Sequence, residues 1–358
     1  MKNLKNIPFL LLAVIALLAG LFTGLERLGW TFPVSAPGLN LLHGPLMICG
    51  FLGTLISLER AVALRKFVWY LAPLFSGVGA SLILFLKPLI LVPQILIGLG
   101  SLIFLFIMIE IFRKQKILAT GLMLIGALLW LAGNIFWLAG SIIPTVAGMW
   151  GGFLVFTIAG ERLELSKFLK ITAQVKTTLL ISIVVLLVGI AIWTIHVYRG
   201  QQIAGLGMFM LAYWLLRNDI ARHGWRKGGL SRFIAASLMS GFVWLAISGI
   251  FTFSFAGHIA GPYYDALLHT LFVGFVFSMI FGHAPIIFPT ILGREILYHP
   301  AFYLHLALLH LSLIFRISSD FFVWEPGRFW GGMFNAIAII LFFLNTVLSV
   351  LRPKGKND

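Results

Sequence analysis

The feature that most constrains the fold is a series of long apolar runs that recur along the whole chain. Many of them reach or exceed the roughly 20 residues that an α-helix needs to cross a bilayer. The chain is 60% hydrophobic and 14% aromatic, and only 10% of its residues are charged. Because backbone groups in lipid must be hydrogen-bonded within their own segment, such runs are expected to be helical. The sequence therefore predicts an all-α, polytopic membrane protein.

The apolar runs predict about twelve transmembrane helices in a single integral-membrane domain, 1–358. The spans are 7–26, 39–60, 67–86, 88–112, 117–139, 142–161, 177–198, 201–217, 232–255, 263–286, 300–318 and 329–351. A hairpin at Lys87-Pro88 separates the third span from the fourth. The chain starts like a signal peptide, but no cleavage site follows promptly, so we interpret the first span as a retained helix. Cys49 is the only cysteine, which excludes an intramolecular disulfide and a cysteine-based metal cluster.

Lysine and arginine are distributed unequally between the two sides of the predicted bundle. With the N-terminus inside, 21 of the 26 basic residues are cytoplasmic. The five that remain outside are Arg27, Lys87, Arg199, Arg316 and Arg328. This asymmetry follows the positive-inside rule and predicts a bacterial inner-membrane protein with both termini in the cytoplasm. The net charge of +15 thus reflects topology and contact with the lipid bilayer, and does not indicate a nucleic-acid partner.

A short repeat links the second, sixth and tenth spans. Gly50–Arg60 (GFLGTLISLER) and Gly152–Arg162 (GFLVFTIAGER) share six of eleven residues, and Gly274–Ala284 (GFVFSMIFGHA) keeps part of the pattern. His283 occupies the position of the glutamate in the other two copies. The copies are four helices apart, which predicts three four-helix units around a pseudo-threefold axis. The corresponding repeats are about 1–114, 115–230 and 231–358.

His43 and His269 are the first pair of candidate site residues. His43 lies just inside the outer end of the second span, and His269 lies within the first two turns of the tenth, which runs in the same direction. Two neutral imidazoles at matching depth on facing helices are what axial ligation of a b-type heme requires. The alternative is a pair of interfacial histidines bonded to carbonyl groups or water. In that case Pro45 begins the regular helix and leaves His43 at the mouth of the bundle.

His283, His305 and His310 form a second group, predicted in the inner half of the membrane. His283 lies roughly 21 Å along the helix from His269, so one ion cannot bind both. It precedes a segment (APIIFP) that we expect the prolines to break. A copper ion or another imidazole-bound metal is one interpretation. The other is structural, because His305 and His310 are five residues apart and only one of them can face the same site as His283.

A glutamate followed by an arginine stands at the inner end of both the second and the sixth span. Glu59-Arg60 and Glu161-Arg162 predict interfacial ion pairs with snorkelling arginines, or alternatively a point of proton uptake. At the outer side, Arg316 and Asp320 are spaced as an i,i+4 pair on the eleventh span. Glycines four residues apart, such as Gly20 and Gly24, predict close packing between helices.

The twelve spans, the four-helix repeat and the outer histidines together resemble the architecture of heme-copper oxidase subunit I. That family carries its low-spin heme between helices 2 and 10, so the resemblance implies His43 and His269 as ligands. The stretches HTLFVGFVFSMIFGH and HPAFYLHLALLHLSLIFRI also resemble the end of the NnrS family. Members of that family are membrane proteins that contain heme and copper and are associated with nitric oxide.

The sequence departs from both families. The sixth span has no histidine and the seventh has only His196, so the copper triad of an oxidase is missing and dioxygen reduction is not expected. The second span has HGPL in place of the histidine pair associated with NnrS. We therefore expect a heme-binding or metal-binding membrane protein that handles nitric oxide, another small ligand or electrons. A cofactor-free transporter or permease and a non-catalytic assembly or sensor protein remain alternatives, and enzymatic activity is left open.

Overall fold

The computed structural model describes residues 4–33, 38–85, 89–166, 172–294 and 296–351, and every regular element within them is helical. The long helical segments follow one another closely along the chain. They are α1 (Ile7–Arg27), α2 (Leu39–Leu64), α3 (Phe67–Ile83), α4 (Leu91–Lys114), α5 (Leu118–Leu138), α6 (Ile143–Leu165), α7 (Ala173–Trp193), α8 (Val197–Asn218), α9 (Gly229–Ser254), α10 (Gly261–Leu292), α11 (Phe302–Phe321) and α12 (Glu325–Leu351).

Within the described residues, 10 helices are long and apolar enough to cross a membrane. The two long segments that do not meet this criterion are α3, which is a shorter apolar helix, and α8. Although α8 has 22 residues, it includes polar side chains such as Arg199 and Gln201. It nevertheless packs against α7 and α9. The all-α, polytopic prediction is confirmed, while the count of twelve spans stays a prediction.

The tenth helix corrects one expectation. The segment after His283 does not break, because α10 continues through Pro285 and Pro289 to Leu292. Proline removes one backbone hydrogen bond. Inside a membrane protein, neighbouring helices, side chains or water commonly supply another partner for the freed backbone group. His283 therefore lies within a continuous helix. The predicted hairpin at Lys87-Pro88 lies outside the described residues.

Two π-helical segments interrupt the α-helical hydrogen bonding of α2 and α10. They cover Leu46–Leu52 and Thr270–Phe277. In the alignment of the sequence repeat both begin at the same position, whereas the corresponding residues 148–154 of α6 are α-helical. π-Helical turns are frequent at functional sites because they re-aim the side chains on either side. Here each segment follows one of the two outer histidines.

The core where α2, α5 and α6 meet is aromatic, with a small polar centre. The rings of Trp130 and Phe153 stack with centroids 4.8 Å apart. α2 can approach them only because residue 53 is glycine, since a Cβ there would lie 2.3 Å from the indole of Trp130. Beside them, the Cys49 thiol and the Trp150 indole N–H both donate to the Oδ1 of Asn134, at 3.3 and 3.1 Å.

Candidate functional site

His43 and His269 lie side by side between α2 and α10. Their ring centroids are 6.2 Å apart and their ring planes are inclined by 21°. We call these residues the outer histidine pair, after the orientation predicted from the basic residues. The structure thus brings together the two residues selected from the sequence, and it places His43 in a helical turn rather than in a loop before Pro45.

Hydrogen bonds fix both imidazoles in the same way. Nδ1 of His43 lies 2.7 Å from the carbonyl oxygen of Gly20, and Nδ1 of His269 lies 2.9 Å from that of Asp265. A carbonyl oxygen only accepts, so each Nδ1 carries the proton and each Nε2 presents a lone pair. Within the described part of the chain, neither Nε2 has a hydrogen-bond partner. Histidines that bind metals are usually oriented by a bond of this kind from the other ring nitrogen.

The glycines of α1 make room for His43. A Cβ on Gly24 would lie 2.7 Å from Cε1 of the His43 ring, so a larger residue would displace the imidazole. Gly20, one turn earlier, supplies the accepting carbonyl. The spacing of the two glycines predicted close helix packing, which is confirmed. The two glycines also hold the His43 side chain. This role depends on a contact between α1 and α2, so the spacing alone does not predict it.

A set of ion pairs surrounds the outer histidine pair. The guanidinium of Arg316 binds both carboxylate oxygens of Asp265, with distances of 2.9 and 2.8 Å. Asp320 is bonded instead by Arg328. The predicted i,i+4 pair between Arg316 and Asp320 is therefore wrong. The reason is geometric. Both carboxylate oxygens of Asp265 on α10 meet the guanidinium of Arg316, which is the bidentate arrangement that arginine favours.

Three arginines lie close to the outer histidine pair and its ion pairs. Arg27 and Arg316 both lie within electrostatic range of His43 and His269. With Arg328, they account for three of the five basic residues that the sequence places outside. The hydroxyl of Tyr264 is buried beside them, and it has no hydrogen-bond partner among the described residues. The outer end thus combines two exposed lone pairs with surplus cations and a free donor.

The opposite ends of the same helices surround a cavity of about 70 Å³, which we call the inner cavity. Twelve of its fifteen lining residues occupy four positions of the sequence repeat. Each position contributes one residue from each of α2, α6 and α10. These residues are Leu52, Leu154 and Val276; Leu55, Thr157 and Met279; Ile56, Ile158 and Ile280; and Glu59, Glu161 and His283. The spacing of the four positions, i, i+3, i+4 and i+7, is one face of a helix.

Crossed ion pairs close the inner cavity. Arg60 bonds to Glu161 rather than to its neighbour Glu59 alone. Arg162 binds both oxygens of Asp219, at 2.9 and 2.7 Å, and these side chains are only 3% and 1% exposed. The predicted ion pair between Glu59 and Arg60 is present at 3.7 Å, whereas the described residues show none between Glu161 and Arg162. Both arginines make their hydrogen bonds to another segment. Asp219 was missed in the sequence, where it stands alone after α8.

His283 faces the inner cavity and is held by two groups. Its Nδ1 lies 2.8 Å from the carbonyl oxygen of Met279, so Nδ1 donates and Nε2 carries the lone pair. A guanidinium nitrogen of Arg162 lies 3.5 Å from that Nε2. The side chain is buried, with 6% of its surface exposed. A cation already occupies the direction from which a metal would approach.

His305 and His310 point into two other environments. Nδ1 of His305 accepts from Asn345 at 3.1 Å, and its ring packs among phenylalanines. Nδ1 of His310 accepts from the Trp244 indole at 2.9 Å. The structure does not bring either residue into a cluster with His283, and the described ranges hold no group of three or more His, Cys, Asp or Glu arranged for a metal. A copper ion at these residues stays a prediction without support.

Long apolar helices and polar side chains at both ends of α2 and α10 define the class as a polytopic α-helical membrane protein. The chain belongs to a family described as a domain of unknown function, DUF8744, whose model matches residues 6–351. That match runs from the start of α1 to the end of α12. A search of curated proteins found no match.

Proposed function

We propose that this protein is an integral-membrane heme protein in which His43 and His269 supply the two axial imidazoles of one b-type heme. The observation that carries the proposal is the 6.2 Å between the two ring centroids. Two bonds of about 2.0 Å from a metal to nitrogen, plus roughly 1.1 Å from each nitrogen to its ring centre, give about 6 Å. Two neutral rings with free Nε2 atoms at this separation suit one shared metal.

The surrounding residues support the same assignment. The carbonyl groups of Gly20 and Asp265 hold the Nδ1 protons, which fixes the tautomer and the direction of each ring. Arg27 and Arg316 supply positive charge for the carboxylates of a porphyrin, and the Tyr264 hydroxyl supplies an unused donor. Heme, when bound, supplies one-electron redox chemistry. If His43 and His269 both held the iron, they would leave no position for a further ligand, which would favour electron transfer over the binding of nitric oxide or another gas.

The proposal includes twelve spans, three four-helix units around a pseudo-threefold axis, and both termini in the cytoplasm of a bacterial inner membrane. The repeat is supported by the four equivalent positions that α2, α6 and α10 contribute to one cavity. The matching start of the two π-helical segments supports it further. The orientation is supported by the distribution of basic residues. These features are the ones that resemble heme-copper oxidase subunit I.

The test is an absorption spectrum of protein purified in mild detergent from heme-replete cells, oxidised and then reduced with dithionite. Heme and metal content are measured on the same sample. We expect a Soret band and a sharp reduced α-band, both lost in His43→Ala and in His269→Ala. His310→Ala is the matched control, because His310 is also an intramembrane histidine but bonds to Trp244. A colourless wild type, or His269→Ala with unchanged absorbance, contradicts the proposal.

A cofactor-free transporter is the second candidate, and the inner cavity is the observation that favours it. The cavity has apolar walls and polar groups at one end, as a small-molecule site does. A substrate-dependent rise in the melting temperature of colourless protein would support this function. No change in melting temperature with any compound tested, in protein that contains stoichiometric heme, would count against it.

A further inference from the structure

We infer that the inner cavity is a hydrated proton-binding site in which the carboxyl group of Glu59 takes up and releases a proton. The site lies at the end of the bundle opposite the outer histidine pair. It does not depend on heme, because it is built from different residues. Binding breaks one O–H bond of a hydronium ion in the cavity, which leaves water, and forms one O–H bond on the Glu59 carboxylate; release reverses that step.

The charges around the inner cavity do not balance. Three carboxylates, on Glu59, Glu161 and Asp219, face the two guanidiniums of Arg60 and Arg162. Asp219 forms a bidentate ion pair with Arg162, and Glu161 accepts a hydrogen bond from Arg60. In the part of the chain that the structure describes, one carboxylate is left over.

Glu59 is the carboxylate that lacks a cation of its own. Its nearest guanidinium nitrogen is Nη2 of Arg60 at 3.7 Å, which is longer than a hydrogen bond. The same nitrogen is the one that Glu161 holds. Glu59 therefore shares a guanidinium that is already committed to another acid.

Among the described residues, no other neighbour neutralises Glu59. His283 is oriented as a neutral acceptor, since its Nδ1 donates to a carbonyl and its Nε2 faces Arg162. Glu164, which also acts electrostatically on Glu59, adds negative charge. An unpaired carboxylate within apolar walls is expensive, and such groups usually become neutral by binding a proton.

The cavity is large enough to hold the water that a proton needs. Its volume is about 70 Å³, whereas one water needs roughly 10–15 Å³ of such space together with polar partners. Glu59 and Glu161 supply acceptors, and the Thr157 hydroxyl is buried with no hydrogen-bond partner among the described residues. Water that bonds to Thr157 and Glu59 would satisfy both groups. Several waters in contact form a route along which a proton can move.

The experiment is infrared spectroscopy of the protein in lipid nanodiscs, in light and in heavy water, over a series of pH values. We expect a carboxylic-acid C=O band that titrates with pH, shifts on transfer to heavy water, and disappears in Glu59→Gln. Glu110→Gln is the matched control, because Glu110 also lies near the predicted inner side but bonds to Lys66 and Lys114, each at 2.8 Å. That variant should keep the band. Glu59→Asp should also keep a titrating band, at a changed position.

Three results would overturn the inference. Identical spectra for wild type and Glu59→Gln at every pH would mean that Glu59 stays ionised. A band that does not shift in heavy water would mean that no water reaches the carboxyl group. A band that falls with added sodium or potassium ions at constant pH would mean that the site binds a metal cation instead. Size-exclusion profiles establish whether each variant is folded. If Glu59→Gln is not folded, the position of the titrating band in Glu59→Asp tests whether Glu59 binds the proton.

Discussion

The two ends of α10 carry the same local motif with opposite consequences. His269 and His283 each donate from Nδ1 to the carbonyl group four residues earlier, at 2.9 and 2.8 Å. They differ in what lies beside the ring. The ring of His269 lies beside the imidazole of His43, with centroids 6.2 Å apart, whereas Nε2 of His283 lies 3.5 Å from a guanidinium nitrogen of Arg162. A second imidazole would add a metal ligand, while a guanidinium repels a metal cation, so under the proposed function the same Nδ1 hydrogen bond serves two chemistries.

The comparison extends to the charges around each end. At the outer end, arginines outnumber acids near two neutral rings, which suits an anionic group such as a carboxylate-bearing porphyrin. At the inner end, carboxylates outnumber guanidiniums around a cavity, which suits a proton. Under both proposals, the neighbours on other helices, and not the histidines alone, decide what each end binds.

The largest expected effect separates the two histidines of α10. His269→Ala should remove all bound heme, because it deletes one of two axial ligands. His283→Ala should leave heme content within error of wild type, because Arg162 blocks a ligand role. Heme per protein, measured by pyridine hemochrome, checks both variants. Equal heme loss in both would erase the proposed difference between the two ends.

The next effect concerns the buried ion pair of the inner end. Arg162→Met should lower the free energy of unfolding by about 3–5 kcal/mol, because it leaves the carboxylate of Asp219 buried without its partner. Arg162→Met combined with Asp219→Asn should recover part of that loss. Thermal unfolding in detergent measures the changes.

The control for that prediction is an exposed pair. Lys114→Ala removes an ammonium group whose side chain is 57% exposed, so the loss should be no more than about 1 kcal/mol. If Arg162→Met costs as little as Lys114→Ala, the crossed ion pairs do not stabilise the inner end.

The smallest expected effect tests how α1 supports the outer end. Gly24→Leu should weaken heme binding by about 10–100-fold, because the new side chain displaces the His43 ring. Gly98→Leu is the matched control, since a Cβ at Gly98 meets nothing within 4 Å. A titration of heme into apoprotein compares the two. Equal affinities would show that Gly24 does not position His43.

Much of this fold could be predicted from the sequence, because helix length and hydropathy are local properties. The spans 7–26 and 117–139, for example, differ by one or two residues from α1 and α5. The two outer histidines could also be predicted, since depth in the membrane follows from position along a helix.

What could not be predicted depends on contacts between distant segments. Arg60 and Glu161 are 101 residues apart, and Arg162 and Asp219 are 57 apart, so the spacing of sequence neighbours could not reveal these hydrogen-bonded partners. The continuation of the helix through Pro285 likewise depends on packing around α10. The repeat was the one sequence signal that pointed to the inner cavity, because it aligned Glu59, Glu161 and His283.

The central claim is that His43 and His269 bind the same iron, and electron paramagnetic resonance of the oxidised protein tests it most directly. Two imidazoles on one ferric heme give a low-spin signal, and removal of either should abolish that signal because the heme is lost. We expect a low-spin signal in the wild type and no heme signal in His43→Ala. A high-spin wild type, or a low-spin signal that survives His43→Ala, would show that the outer histidine pair does not hold a heme between its rings.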